Sequence, residues 1–84
     1  MSDAHEPVVL ERLDTRGLIC PLPVIRTQDR IKTLATGTLL DVVASDPGAM
    51  HDIPAWCRVH GHEVVEMRRQ DREIHIRVRV RRTT

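Results

Sequence analysis

The sequence has no phenylalanine and no tyrosine, and Trp56 is its only aromatic residue. A core without aromatic bulk has to be assembled from Val, Ile, Leu, Met and Ala, and no aromatic platform is available on which nucleic-acid bases could stack. Charge of one sign is lacking as well. Lys and Arg number 13 against 12 Asp and Glu, a formal net charge of +1, which is too little for binding nucleic acid through bulk electrostatics. No apolar run approaches the roughly 18 residues that a membrane span needs. Residues 1–7 are polar and acidic, and no apolar stretch of the kind a secretion signal carries follows them, so the expected location is the cytoplasm. Cysteine is scarce. Cys20 and Cys57 form neither a CxxC pair nor a zinc-finger pattern, and in a reducing compartment two free thiols are expected.

What is present is a short chain of globular composition. Its 84 residues allow one domain, with 40% hydrophobic and 30% charged residues arguing against disorder. A domain of this size has a thin core and little room for a deep pocket around a large cofactor. We expect a lead-in over residues 1–7, one domain over 8–81 and a short tail over 82–84.

Periodicity divides the domain into six elements. Val8 to Leu13 reads as a strand and Asp14 to Ile19 as a loop around Thr15-Arg16-Gly17. Residues 21–35 read as a helix, with Val24, Ile31, Leu34 and Ala35 on its buried stripe and Gly37 as its stop. Thr38 to Ala44 is nearly all apolar and is expected to be a central strand. A second helical region should follow Ser45-Asp46-Pro47-Gly48, with Asp46 as cap and Pro47 in the first position, and run to His60 before Gly61. Pro54 predicts a kink or a fresh start near Asp52. His62 to Arg69 and Glu73 to Arg81 read as a hairpin turning at Gln70-Asp71. The second of these strands alternates Ile74, Ile76, Val78 and Val80 against Glu73, His75, Arg77 and Arg79. The order β-α-β-α-β-β predicts an α/β (α+β) two-layer sandwich, a mixed four-stranded sheet with two helices on one face.

Chemistry concentrates at Cys20-Pro21-Leu22-Pro23, where the loop turns into the first helix. Prolines are tolerated in a first helical turn because the N–H groups they lack would have no partner there. Pro21 and Pro23 also fix the direction of the chain. The amides of Leu22 and Val24 lie at the positive end of the helix dipole, where a thiolate or persulfide anion is stabilised and the thiol pKa should fall. Arg16 before the motif and Arg26 one turn into the helix could add positive charge. A structural reading stands beside this one: Cys20 as a small apolar plug. No second Cys is near enough to resolve a disulfide, and nothing marks the base, orienting group and oxyanion hole of a Cys–His hydrolase. A lone activated thiol suits a carrier that hands a group from one protein to another.

Other residues admit plainer readings. Cys57, His60 and His62 could be drawn as a metal cluster, but they lack a fourth ligand, and Cys57 reads as a half-buried core thiol beside Trp56. We expect no metal site. Arg77, Arg79, Arg81 and Arg82 make a basic stripe, either a solvated sheet face that discourages edge-to-edge pairing or a contact for RNA or an acidic partner. Asp14, Asp46 and Asp52 are most simply turn and cap residues, although Asp52 could orient a neighbouring basic group.

Leu13-Asp14, Gly17-Leu18, Cys20-Pro21-Leu22-Pro23, Gly37, Ser45-Asp46-Pro47, Asp52-Ile53-Pro54, Trp56-Cys57 and Gly61-His62 together resemble the TusA/SirA-like sulfurtransferase family, from about Val9 to Val80. The resemblance implies the two-layer sandwich and a persulfide carried on Cys20, with Gly17, Arg16, Pro21 and Pro23 shaping the site. It implies a sulfur-donor protein, a PLP-dependent cysteine desulfurase or a rhodanese-like protein, and an acceptor that is DsrE-like or TusD-like. The pathway would be tRNA thiolation or sulfur oxidation, with no resident cofactor in this chain and, as a second possibility, a part for Cys57 in sulfur handling. Trp56 stands where Phe is common. The first helix lacks the methionines that some members carry, so Leu22 and Ile25 would take their place in docking. Arg26, Arg30 and Lys32 are candidates for meeting an acidic donor surface. The resulting reading is a monomeric sulfur carrier, a sulfurtransferase with transient protein partners. The alternative is a non-enzymatic RNA-binding or regulatory module that uses the basic sheet face.

Overall fold

The computed structural model describes residues 8–81. The expectations for residues 1–7 and 82–84, Arg82 among them, lie outside that range. Six elements follow in the anticipated order: β1 (Leu10–Thr15), α1 (Leu22–Ile31), β2 (Leu39–Ala44), α2 (Ala49–His60), β3 (Glu63–Gln70) and β4 (Glu73–Arg79). The sheet runs β1-β2-β4-β3, with β1 parallel to β2 and the other neighbours antiparallel. β2 is therefore central, as its apolar sequence requires. β4 enters between β2 and β3 with strict alternation, Ile74, Ile76 and Val78 buried and Glu73, His75, Arg77 and Arg79 on the other side.

Leu40, Val42 and Ala44 of β2 and Ile74, Ile76 and Val78 of β4 share one core cluster with Ile31 of α1 and Ala49, Ile53 and Cys57 of α2. Both helices consequently cover one face, and the sheet's other face is wet. Trp56 is partly buried against this cluster. Its ring also meets His60 in a tilted contact, centroids 4.6 Å apart, and stacks on His62, 5.3 Å apart. That contact accounts for the two histidines read as possible ligands. Among the described residues no group of three or more His, Cys, Asp or Glu could hold a metal. Among the described residues no helix is long and apolar enough to cross a membrane.

Several boundaries differ from the sequence reading. β1 starts later and takes in Asp14 and Thr15, because the Thr15 hydroxyl donates to the Val43 carbonyl at 2.7 Å and prolongs the pairing with β2. α1 ends at Ile31 and not at 35. Leu34 N–H and Thr33 N–H fold back to the carbonyls of Ile31 and Arg30, and Ala35 is exposed, outside the buried stripe. That stripe instead holds Pro23 and Thr27, the Thr27 hydroxyl being satisfied by the Pro23 carbonyl one turn back.

α2 neither breaks nor restarts at Asp52: Pro54 lies inside a continuous helix. The chain is already turning before the assigned start, the amides of Ala49, Met50 and His51 bonding to the carbonyls of Asp46, Pro47 and Gly48. The Asp46 side chain makes no capping bond, and Gly48 occupies the cap position. The third and fourth strands are Glu63–Gln70 and Glu73–Arg79, in place of 62–69 and 73–81, with an irregularity between Val64 and Glu66 and the turn at Asp71-Arg72.

Candidate functional site

β1 and β2 are parallel, so their C-terminal ends lie side by side, and each runs on into a helix. Loops at the carboxyl ends of parallel strands are where an open α/β sheet places its chemistry. Here the two loops are tied together. Gly17, at a φ of +85°, donates its N–H to Ser45 Oγ at 2.8 Å, a left-handed conformation for which glycine is suited. Cys20 then sits beside α2.

Cys20 lies one residue before Pro21, which occupies the cap position of α1. The Cys20–Pro21 peptide bond is cis, and Leu22 N–H donates to the Ile19 carbonyl at 2.9 Å. Ile19 to Leu22 is thus a four-residue turn with the cis proline third. The sequence reading left the Leu22 amide available to an anion. The turn occupies it.

The side chain of Cys20 is exposed and its thiol is free. Its Sγ donates to Asp52 Oδ2 at 3.1 Å. A carboxylate accepting from a thiol favours the protonated form. The hydrogen bond to Asp52, then partial desolvation, then the charges of Asp52 and Asp46 push the Cys20 thiol above the ordinary cysteine range. The expectation of a lowered pKa from the helix dipole is not met: the charges acting on the thiol, those of Asp52 and Asp46, are negative, and the Leu22 amide is already bonded to the Ile19 carbonyl.

Arg16 does not supply the missing cation. Its guanidinium grips Asp14 through two bonds of 2.9 and 2.7 Å and reaches Glu73 at the start of β4 at 2.9 Å. The hydrogen bonds from Arg16 hold the Asp14 carboxyl well below the usual carboxylate range. Arg16 therefore braces the loop against the sheet. Pro23 lies in the first turn of α1 and is buried.

Of the docking candidates, Leu22, Ile25 and Arg26 are exposed. Positions three and four apart share a helix face, so these three make one patch next to Cys20. Ile19, 70% exposed, extends it across the turn. It stands out only once the loop's geometry is known, since a single apolar residue in a loop carries no periodic signal. Arg30 is committed elsewhere, bonding Glu11 Oε1 at 3.0 Å and the Arg12 carbonyl at 3.2 Å, which fastens α1 to β1. Lys32 follows the last residue of α1, ~15 Å along the axis from Leu22 at 1.5 Å per residue, and is remote from the sulfur.

Cys57 is fully buried, and burial pushes its thiol up to about 11. It is not half-buried, as the sequence suggested, but it is the core residue anticipated. Asp52 is the participant that sequence reasoning passed over. The sequence offers it as a cap or as a partner for a basic group and places it in the Asp52-Ile53-Pro54 block, but its contact with Cys20 is visible only in the folded chain.

Comparison with known proteins agrees with this architecture. The family model described as "Sulfurtransferase TusA" matches residues 11–80. The sulfur carrier protein TusA of Pseudomonas paraeruginosa is 45% identical over 58 residues, 69% of this chain and 73% of that protein. The sulfur carrier protein TusA of Allochromatium vinosum is 32% identical over 69 residues, 82% of this chain and 91% of that one. In three dimensions a SirA-like protein from Desulfitobacterium hafniense matches with a TM-score of 0.74 over 82% of this chain and 95% of its own, at 21% identity, a likeness in fold. With a family match that extends from β1 past the end of β4, the chain belongs to the TusA sulfurtransferase family.

Proposed function

We propose that this protein is a sulfur carrier that accepts a sulfane sulfur on Cys20 as a persulfide and passes it to an acceptor protein. The observation that carries the reading is an exposed, free thiol in the Cys20-Pro21-Leu22-Pro23 turn of a chain whose relatives are named sulfur carriers. The Cys20 thiolate attacks the terminal sulfur of a donor persulfide. The donor's S–S bond breaks, its thiolate leaves, and Cys20 holds the sulfur until an acceptor thiolate takes it in the same way. One sulfur atom moves between thiols without net oxidation, so no resident cofactor is needed. A cysteine desulfurase or a rhodanese-like protein as donor and a DsrE-like or TusD-like protein as acceptor fit this chemistry, in tRNA thiolation or sulfur oxidation within the cytoplasm. The exposed Ile19, Leu22, Ile25 and Arg26 patch around the sulfur is the surface on which such proteins would dock.

The RNA-binding alternative has less support. Arg77 is paired with Asp41, and Arg79 and Arg81 with Glu63, so among the described residues the stripe is an ion-paired surface and not a row of free cations.

Transfer of label from radiolabelled cysteine through a desulfurase tests the reading. Cys20→Ser should take up no reducible label, and Cys57→Ser should keep most of it. Equal loss in the two folded variants would contradict a single working thiol.

A further inference from the structure

Cys20 is open to solvent, yet both charges acting on it are negative. An exposed thiolate is open to any oxidant or electrophile in solution, so a carrier gains from keeping its thiol protonated between encounters. The contact that can do this is the 3.1 Å bond from Cys20 Sγ to Asp52 Oδ2. Gly48 brings the second carboxylate close: a Cβ built on Gly48 would lie 3.1 Å from Asp46 Oδ2 and 3.6 Å from Asp52 Oδ2. Asp46 and Asp52 therefore flank one backbone position at the beginning of α2, and Asp52 reaches from there to the sulfur.

We propose that Asp52 is a positioning residue for Cys20 that, through the Sγ–H to Oδ2 hydrogen bond, holds the sulfur as a neutral thiol in the free protein. This rests on the carrier reading for its purpose, although the hydrogen bond is present in the unloaded protein whether or not Cys20 ever accepts a sulfur. The groups facing the sulfur are Asp52 on α2 and Asp46 in the β2–α2 loop. In the loop before it, Arg16 is turned to Asp14 and Glu73. On the two helices, Arg26 of α1 and His51 of α2 are exposed to solvent. Loading balances under this scheme. The proton that leaves Cys20 as it attacks is matched by the proton taken up by the departing donor thiolate, and Asp52 releases the sulfur as the new S–S bond forms.

The test is the pH profile of Cys20 alkylation by iodoacetamide, read by peptide mass in the wild type, Asp52→Asn and Asp46→Asn between about pH 6 and about pH 10, since only the thiolate reacts. Asp52→Asn should move the midpoint down and speed alkylation at neutral pH several-fold. The rates should converge at high pH, where every form is thiolate. Asp46→Asn should move it less, because Asp46 acts through space. Superimposable profiles for wild type and Asp52→Asn would overturn the proposal. A second measurement holds if Asp52→Asn fails to fold: the Cβ chemical shift of Cys20 in the wild type should titrate above the ~8.5 of free cysteine, and a midpoint at or below that value overturns the proposal. Neither readout involves sulfur loading, so an altered Asp52 profile without any persulfide would count against the carrier reading alone.

Discussion

At the scale of single residues, the two cysteines are set apart by depth and by neighbours. Cys57 is sealed in the core against Ile53 and the β4 side chains, and its thiol is pushed up by burial alone. Cys20 is exposed, and its thiol is raised chiefly by a hydrogen bond to a carboxylate. A hydrogen bond at the surface is dynamic, whereas burial requires the domain to open. Titration with a disulfide reagent at mildly alkaline pH should therefore count one reactive thiol in the native protein and two in denaturant. Two reactive thiols in the native state would show that Cys57 is not sealed and would reopen a role for it. Cys20 was legible in the sequence because prolines on either side of Leu22 mark a fixed turn. The sign of its pKa shift was not, because it depends on Asp52, 32 positions later, reaching across from another helix.

Elements were legible wherever one face repeats. β4 alternates cleanly because one side joins the core cluster and the other meets the ion-paired face, so its pattern survives in the sequence with only its end misplaced. Pro54 misled because proline was weighed as a helix breaker. Within α2, Ile53 and Cys57 are buried on either side of it, and tertiary packing outweighs one missing backbone bond. α1 looked longer than it is because Leu34 and Ala35 keep helical spacing past Ile31. Leu34 does pack partly against the core, but from a turn. Thr15 and Thr27 escaped the core prediction for one reason: each is a polar residue whose hydroxyl finds a backbone carbonyl inside.

Across the whole molecule the outer sheet face is laced by charge. Arg77 forms a two-pronged pair with Asp41 at 2.6 and 3.0 Å. Arg16 joins Asp14 to Glu73, and Glu63 receives Arg79 and Arg81. These pairs hold Asp14, Asp41 and Glu73 below their ordinary values. A carboxylate whose folded pKa is depressed adds stability above its unfolded value near 4 and loses it as pH falls through the folded value. The pairs are substantially exposed, so each contributes modestly and salt weakens it. Thermal midpoints should hold from neutral pH to about 5 and then fall towards about 2. Asp41→Asn should lower the midpoint by a few degrees at neutral pH and converge with the wild type in acid. A wild-type midpoint that stayed flat through this range would mean that the ladder adds nothing to folding.

At the tip of the sheet two loops hold one exposed sulfur beside the exposed Ile19, Leu22, Ile25 and Arg26. The central claim is that this sulfur carries another. It is tested most directly by the intact mass of the protein after incubation with a cysteine desulfurase, PLP and cysteine, followed by peptide mapping with and without reductant. We predict a gain of one sulfur atom on the Cys20 peptide that the reductant removes. A folded protein that gains no sulfur on that peptide, with a rhodanese-like donor tried as well, would contradict the account.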